Sequence, residues 1–211
     1  MALSLRLRTL RGYYQQHQSV WDIGCDHGLL GLSFLGEPLI QKIHLVDPST
    51  LVMKSLKHSI DSYITEERNF LELHEKRGQD VVPGPEKKLI FIAGMGGKEI
   101  ELIFQHLLPY LNAHDDLVIS PHRDILPVRE KLSTSPFFLR DETIVFEDGR
   151  FYQILSLCLR PGEKVHPYGE RIFHGVVGEE YRQHQLKTFS AHKDERSGVY
   201  VDYLNSLTPR I

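Results

Sequence analysis

The residues best suited to chemistry lie in one short stretch, Asp22-Ile23-Gly24-Cys25-Asp26-His27-Gly28. An apolar segment precedes it and a helix-capable apolar segment follows, as where the first strand of a nucleotide-binding α/β sheet passes into its first helix. Gly24 and Gly28 permit a positive φ and let a ligand approach the backbone closely, and the helix beyond them offers free N–H groups. The spacing differs from the G-x-G-x-x-G dinucleotide fingerprint, so an NAD-dependent oxidoreductase is the weaker interpretation.

Further polar candidates follow the next two predicted strands. Asp47 ends a strand predicted over 42–47, about 20 residues beyond the glycine loop, where a carboxylate can accept hydrogen bonds from both ribose hydroxyls. The other interpretation of Asp47 is an N-cap for the helix that begins near Pro48. Gln79 and Asp80 follow a strand predicted over 70–74, where they are placed to bind an adenine amino group or simply form a polar turn.

A second glycine-rich loop follows the continuous apolar run at 89–92, which is typical of a central parallel strand buried on both faces. The loop is Ala93-Gly94-Met95-Gly96-Gly97. Its glycines indicate either backbone lying against a ligand at the carboxyl edge of the sheet, where open α/β folds bind ligands, or a strained turn. The next strand, 117–119, opens into Ser120-Pro121-His122-Arg123, which adds polar side chains at the same edge.

The order of the elements predicts the architecture that must position these loops. Strands and helices alternate through five strands, and two β-segments around Asp148-Gly149, at 138–146 and 150–159, predict an antiparallel closing hairpin. The sequence thus predicts an α/β fold with a mostly parallel sheet and helices on both faces. We expect one domain over 1–160 and a short, mainly helical C-terminal extension over 161–211. Helices are predicted over 4–16, 29–35, 48–63, 98–108, 127–133, 179–190 and 200–207.

Composition limits the class of protein. The chain has 211 residues, 41% of them hydrophobic, a net charge of -3 and two distant cysteines, Cys25 and Cys158. There is no apolar run long enough to span a bilayer and no zinc-ligand spacing among the histidines. These features predict a cytoplasmic protein with reduced thiols, no membrane association and no metal. Residues 1–20 carry three arginines and no acid, which indicates either a local basic surface or a solvated helix face.

The chain resembles the bacterial tRNA (adenine-22-N1)-methyltransferases, a family of class I S-adenosylmethionine-dependent methyltransferases. The resemblance covers roughly residues 4–160, and the combination of the Asp-His pair with the Ala-Gly-Met-Gly-Gly loop is its most specific part. It implies a Rossmann-like, seven-stranded methyltransferase sheet and a tRNA partner. Four stretches carry it, namely Arg6-Leu7, Asp22 to Gly28, Ile92 to Gly97, and the hairpin Glu147-Asp148-Gly149-Arg150-Phe151-Tyr152-Gln153-Ile154.

The chain departs from the family pattern in three places. Cys25 stands where the family has Ser or Thr, and Ser120-Pro121-His122 stands where the family has Gln-Pro-Asn after strand five. Only about 50 residues follow the core, whereas family members usually end in a longer helical hairpin. These departures leave open a methyltransferase of the same fold acting on another RNA or on a small molecule, and a non-catalytic module that binds the cofactor.

The resemblance implies S-adenosyl-L-methionine as the cofactor. The chemistry of the implied reaction makes His122 and Asp26 the candidate catalytic residues, since either can accept the proton that the adenine amino group loses. Asp26 ordering its own turn and His27 acting as a loop donor are the other interpretations. Candidate substrate-binding residues are Ser120, Pro121, His122 and Arg123. Candidate cofactor-binding residues are Arg6, Asp22, Gly24, Cys25, Asp26, His27, Gly28, Asp47, Pro48, Gln79, Asp80, Ala93, Gly94, Met95 and Gly96.

The surface around His122 separates the substrate classes. A continuous basic surface beside His122 and the N-terminal arginines would favour RNA, because phosphate contacts dominate nucleic-acid binding. No pattern in the sequence indicates an oligomeric state.

Overall fold

The computed structural model describes residues 2–61, 65–192 and 194–207. The strands are β1 (Ser19–Ile23), β2 (Lys42–Asp47), β3 (Leu71–Glu75), β4 (Lys88–Ala93), β5 (Asp116–Ser120), β6 (Phe138–Glu147) and β7 (Arg150–Cys158). The helices are α1 (Leu5–Arg11), α2 (Leu29–Leu32), α3 (Thr50–Ile60), α4 (Thr65–Arg68), α5 (Gly97–Leu107), α6 (Ile125–Ser133), α7 (Gly175–Phe189) and α8 (Glu195–Ser206).

The seven strands form a single sheet in the order β3-β2-β1-β4-β5-β7-β6. The first five are parallel, and β7 runs antiparallel to both β5 and β6. The predicted α/β fold with an antiparallel closing hairpin is therefore confirmed. The strand order reverses between β1 and β4, which places the topological switch point, where open α/β sheets bind ligands, between the two glycine loops.

Helices cover both faces of the sheet, as predicted. Along β4, Ile90 and Ile92 face a cluster that contains α5 and α6, whereas Leu89 and Phe91 face a cluster that contains α1, α2 and α3. All four side chains are fully buried. Because successive side chains point to opposite faces of a strand, a strand covered on both sides must be apolar throughout, which explains the continuous run.

Several helix ends differ from the predicted ones for local reasons. α1 stops at Arg11 rather than 16, since the Gly12 N–H caps it on carbonyls of the last turn. α3 ends at Ile60, and residues 62 and 63 of its predicted length lie outside the described residues. α8 begins at Glu195 rather than 200, because the carboxylate of Asp194 accepts the Ser197 N–H at 2.9 Å as an N-cap. The single turn α4 was not predicted.

The C-terminal helices α7 and α8 pack against the closing hairpin. Their cluster is built around Tyr181, Tyr200 and Leu204, and Ile144 of β6 and Phe151 of β7 pack against it. The rings of Phe151 and Tyr181 lie 5.3 Å apart. In the described part of the chain, no helix combines the length and the apolar character that crossing a membrane requires.

Candidate active site

The first glycine loop is held by hydrogen bonds to β2. The N–H groups of Gly24 and Cys25 donate to the Val46 carbonyl at 2.8 and 3.0 Å, and the Gly28 N–H donates back to the Cys25 carbonyl at 2.7 Å. Gly24, Asp26 and Gly28 have φ values of 76°, 47° and 69°. Glycine adopts this left-handed conformation freely and aspartate tolerates it better than most residues, which explains why these residue types suit these three positions.

Asp22, at the end of β1, connects the first glycine loop to α2. Its buried carboxylate accepts the Gly31 N–H at 2.9 Å, which ties the end of β1 to α2. Burial raises the pKa of Asp22 to about 6, the Gly31 hydrogen bond works against that rise, and the charge of Asp47 adds to it. Asp22 therefore positions the loop through a carboxylate that is costly to keep charged in the folded protein.

The second glycine loop faces the first across the switch point. Gly94 has a φ of 83° and its N–H donates to the Ser120 carbonyl at 3.1 Å. A Cβ at this position would lie 3.7 Å from Nε2 of His122 and 3.9 Å from Nη1 of Arg6. The absence of a side chain at Gly94 thus leaves space between the loop and these two groups, the guanidinium of Arg6 and the imidazole of His122.

The other glycines of this loop serve packing. Gly96 forms a parallel bridge with Arg123. A Cβ at Gly97 would lie 2.7 Å from the Asp124 carbonyl oxygen, and one at Gly24 would lie 2.5 Å from Cε of Met95. Met95 therefore covers the first loop, while Gly96 and Gly97 let α5 start directly against the segment that leads into α6.

Arg6 and His122 meet above the second loop. Nη1 of Arg6 lies 2.8 Å from Nε2 of His122, and the Arg6 guanidinium lies 4.8 Å from the centroid of the Tyr152 ring. The backbone N–H of His122 donates to the Met95 carbonyl at 3.0 Å, which ties the loop after β5 to the second glycine loop. Partial burial, together with Arg6 and Arg150, lowers the pKa of His122 and so favours the neutral imidazole.

The N-terminal helix reaches this position because of Glu147 at the end of β6. The carboxylate of Glu147 accepts the backbone N–H groups of Leu5 and Arg6 in the first turn of α1. Partial burial acts in the opposite direction, but the hydrogen bonds from Ser4, Leu5 and Arg6 hold the pKa of Glu147 below its usual range. An acidic side chain at a helix N-terminus is favourable, and here it places Arg6 over His122.

These elements enclose a cavity of about 240 Å³. Nine of the predicted site residues line it, and Leu7, Leu29 and Leu30 complete its wall. No role was predicted for these three leucines, although their place beside Arg6 and Gly28 in the chain was a usable signal. The nine are Arg6, Asp22, Gly24, Cys25, Asp26, His27, Ala93, Gly94 and His122.

Asp47 lies beside the first loop, at the end of β2. One of its carboxylate oxygens, Oδ1, accepts the Ser49 N–H at 2.9 Å. The N-cap of α3 is Ser49, whose hydroxyl accepts the Val52 N–H, so the interpretation of Asp47 as that N-cap is wrong. The carboxylate is half-buried at the carboxyl edge of the sheet and Pro48 is exposed next to it. Ribose binding by Asp47 stays a prediction.

The loop after β3 is less open than its polar character indicated. Both carboxylate oxygens of Asp80 pair with Arg77, at 2.8 and 3.1 Å. The Gln79 Oε1 atom is buried and has no hydrogen-bond partner among the described residues. Adenine binding by Gln79 or Asp80 stays a prediction. Gly28 lies away from the cavity, where a Cβ would come within 2.9 Å of Leu56.

A second groove, of about 300 Å³, adjoins the cavity through His122. The substrate candidates Pro121 and Arg123 line it, together with Arg150 and His184, whereas Ser120 is fully buried behind them. The Arg123 side chain is 80% exposed. None of the described residues that line this groove is Asp or Glu. Two arginines and a histidine thus lie next to His122, although Nε of Arg123 also lies 3.7 Å from Oδ2 of Asp124.

A third groove, of about 800 Å³, lies between α1, α2 and α3. It shares Asp26, His27 and Leu29 with the cavity, so these residues form the wall between the two spaces. The Asp26 and His27 side chains are exposed, and their Oδ1 and Nε2 atoms lie 3.7 Å apart. Either side chain can reach a ligand from this wall without displacing other groups.

The fold is shared with proteins of known structure over nearly the whole chain. A Streptococcus pneumoniae protein superposes with a TM-score of 0.81 at 20% identity, covering 97% of each chain. Its complex with S-adenosyl-L-methionine superposes with a TM-score of 0.74 at 22% identity, again covering 97% of each. Because coverage extends beyond the sheet, α7 and α8 are part of the common fold.

Sequence comparison gives a relative and a family. The tRNA (adenine(22)-N(1))-methyltransferase of Bacillus subtilis is 29% identical over 160 residues, which are 74% of this chain. The chain spans about 64% of the length of the curated relatives it matches. The family model described as a methyltransferase domain matches residues 3–155, which include every residue that lines the cavity. On that match, the chain belongs to the methyltransferase-domain family.

Proposed function

We propose that this protein transfers the methyl group of S-adenosyl-L-methionine to N1 of an adenine in tRNA. One observation carries the proposal: the glycine loops after β1 and β4 meet Arg6 and His122 in a single cavity at the topological switch point. The name of the Bacillus subtilis relative supports the reaction, and the neighbouring structure in complex with S-adenosyl-L-methionine supports the cofactor.

The cavity fits this cofactor on its own features. Gly94 leaves a space that a Cβ would fill, and Gly24 and Ala93 bring further backbone to the same wall. Asp47 would hold the ribose hydroxyls, and Asp26 and His27 would face the amino-acid part. When bound, S-adenosyl-L-methionine supplies an electrophilic methyl group on a sulfonium.

The protein's own task is to align the adenine and to manage one proton. Orientation of bound reactants accounts for much of the rate enhancement when little covalent chemistry is needed. Adenine N1 already carries a lone pair, and the exocyclic amino group loses a proton after N1 is alkylated. His122 is neutral and becomes a proton acceptor when Arg6 releases Nε2. Asp26, exposed on the cavity wall, is the second acceptor within the site.

The groove beside His122 supports an RNA substrate over a small molecule. Arg123, Arg150 and His184 line it, and its described lining residues include no carboxylate. Arginine pairs with phosphate through two parallel hydrogen bonds, and phosphate contacts position a nucleic acid without reading its sequence. The chain as a whole has a net charge of -3, so this positive surface is local. A tRNA substrate implies a cytoplasmic protein, in which the thiols of Cys25 and Cys158 would stay reduced.

Transfer of labelled methyl groups tests the proposal. The protein and labelled S-adenosyl-L-methionine are incubated in three separate reactions, one with total tRNA, one with ribosomal RNA and one with a small-molecule extract. We expect label in the tRNA fraction above all others. Label confined to ribosomal RNA or to small molecules would contradict the tRNA substrate and leave the methyltransferase assignment intact. Cofactor binding by calorimetry without transfer to any fraction would indicate a binding module and contradict the reaction.

A further inference from the structure

A compact group of metal-ligand side chains lies on the sheet away from the candidate active site. His44 in β2 is in register with Glu72 in β3, and His74 follows Glu72 by two positions. Since residues two apart on a strand share a face, all three side chains project from one face. They line a cavity of about 320 Å³ that is bounded on its other side by Val82, Gly84 and Glu86.

The three donor atoms are spaced as ligands of one ion. Nδ1 of His44 lies 3.0 Å from Nε2 of His74 and 3.3 Å from Oε2 of Glu72. Nε2 of His74 lies 3.9 Å from the same oxygen. A tetrahedral zinc ion with bonds of about 2.0–2.1 Å places its ligand atoms about 3.3 Å apart. The donors need to move by only a few tenths of an ångström to surround such an ion.

We propose that His44, Glu72 and His74 bind a divalent transition-metal ion, with Zn²⁺ the best match. Two imidazoles and one carboxylate form a donor set that zinc sites use, with a water molecule in the fourth position. Imidazole ligands select against Mg²⁺ and Ca²⁺, which prefer oxygen. The sequence did not indicate this site, because its ligands come from two strands and lack a short recurring spacing. The Glu-x-His pattern on a strand was the available signal.

The surroundings of the cluster orient its ligand atoms. Nζ of Lys42 lies 3.0 Å from Oε1 of Glu72, which leaves Oε2 to face the imidazoles. The His44 side chain is 8% exposed and the His74 side chain is 22% exposed, so both imidazoles are largely shielded from solvent.

Trp21 supplies a second, independent observation at the same cavity. Its ring stacks on His44 with centroids 3.7 Å apart and an angle of 10°. It is 4% exposed, and its Nε1 has no hydrogen-bond partner among the described residues. A buried indole N–H without an acceptor points to a further group in the cavity. A water or hydroxide on the metal is an acceptor that would satisfy it.

The expected role of this ion is structural. The described residues that line this cavity and those that line the candidate active-site cavity do not overlap. The ligands join β2 to β3, which is the edge strand of the sheet, so a bound ion cross-links that edge. Because the ion binds the folded chain in preference to the unfolded one, it raises the free energy of unfolding.

Trp21 makes the test direct, since it is the only tryptophan in the chain. Co²⁺ is titrated into the chelator-treated full chain, and tryptophan fluorescence and visible d–d absorption are followed together. We expect saturable quenching at one ion per chain with a tetrahedral absorption band, and Zn²⁺ should displace Co²⁺ and restore the fluorescence. Zn²⁺ alone should raise the thermal midpoint. Non-saturable quenching, or no band, would overturn the proposal.

Variants separate the site from general metal binding. Loss of a direct ligand in His74→Ala should weaken Co²⁺ binding by more than about 100-fold, since losing even an outer-shell partner costs about 10- to 100-fold. Glu72→Gln preserves the shape of the side chain and should also lose affinity, which keeps the test informative if His74→Ala folds poorly. His58→Ala, an exposed histidine on α3, is the control and should bind normally. Equal affinity in His58→Ala and both ligand variants would contradict the site.

Discussion

Nη1 of Arg6 lies 2.8 Å from Nε2 of His122, although the two residues are 116 positions apart in the chain. A guanidinium has no acceptor atom, so Nε2 accepts this hydrogen bond and the proton of the neutral imidazole is on Nδ1. The contact brings the N-terminal helix into the candidate site and couples the protonation of His122 to the position of Arg6.

The first prediction concerns this coupling. Partial burial, Arg6 and Arg150 lower the pKa of His122, so Arg6→Ala should raise that pKa by removing one positive neighbour. If neutral His122 is needed for methyl transfer, the acidic limb of the pH–rate profile should move to higher pH in the variant. Titration of the His122 ring by NMR measures the shift.

Arg8→Ala is the matched control for Arg6→Ala, because Arg8 is exposed on the same helix. It should leave the titration of His122 unchanged. Identical His122 titration curves for the two variants would show that the contact with Arg6 does not set the protonation of this ring.

The Arg6–His122 contact is a feature that could not be predicted from the sequence. The resemblance indicated Arg6, and the position of His122 after strand five indicated that residue separately. Their contact depends on Glu147, which holds the first turn of α1, and on the closing hairpin that carries it. Such contacts between distant segments depend on tertiary packing, and neither the periodicity nor the spacing of residues in the sequence predicts them.

The second prediction separates steric occupation of the cavity from backbone strain. Gly94 and Gly36 both have left-handed backbones, with φ of 83° and 87°. A Cβ at Gly94 would enter the space before His122, whereas no described atom lies within 4 Å of one at Gly36. Alanine at either position should cost about 1–2 kcal/mol of stability. Only Gly94→Ala should weaken S-adenosyl-L-methionine binding, by about tenfold or more.

Calorimetry with the cofactor and chemical denaturation of both variants measure these two effects. If Gly94→Ala loses as much stability as Gly36→Ala but binds the cofactor with unchanged affinity, the second glycine loop does not face the ligand.

The third prediction uses the buried carboxylate of Asp22, whose pKa burial raises to about 6. Because this folded-state pKa is above the unfolded value, the associated stability is fully present below about pH 4 and is lost as pH rises through about 6. In the variant Asp22→Asn, the amide oxygen can still accept the hydrogen bond from the Gly31 N–H, but the side chain does not titrate. The stability of Asp22→Asn relative to wild type should therefore increase by up to about 3 kcal/mol between pH 4 and 7.

Urea denaturation across this pH range checks the prediction. Two stability curves that stay parallel from pH 4 to 7 would mean that Asp22 has an ordinary pKa in the folded protein.

The fourth prediction concerns the basic groove. Arg123→Ala and Arg150→Ala should each weaken tRNA binding at low salt and reduce the slope of log affinity against log salt by about one. Lys54→Ala, an exposed cation on α3 outside the groove, should leave both quantities unchanged. Filter binding at several salt concentrations measures the slopes. Equal slopes in all variants and wild type would remove this groove from the tRNA interface.

The two glycine loops show which features were readable from the sequence. Residue types with positive φ, strand ends and the closing hairpin were predicted because each depends on local chemistry. The different tasks of Gly94 and Gly97 were not separable, since one faces the cavity and the other faces Asp124 across a helix contact. The division into 1–160 and 161–211 stays a prediction, with α7 and α8 packed on the hairpin.

Nucleoside analysis of tRNA methylated by this protein would identify the acceptor atom. Total tRNA is incubated with the protein and labelled S-adenosyl-L-methionine, digested to nucleosides and separated against standards. We expect label in 1-methyladenosine, and less of it with Gly94→Ala at a cofactor concentration that does not saturate the variant. Label in another nucleoside would contradict the adenine N1 acceptor, and unlabelled tRNA alongside normal cofactor binding would contradict tRNA methylation altogether.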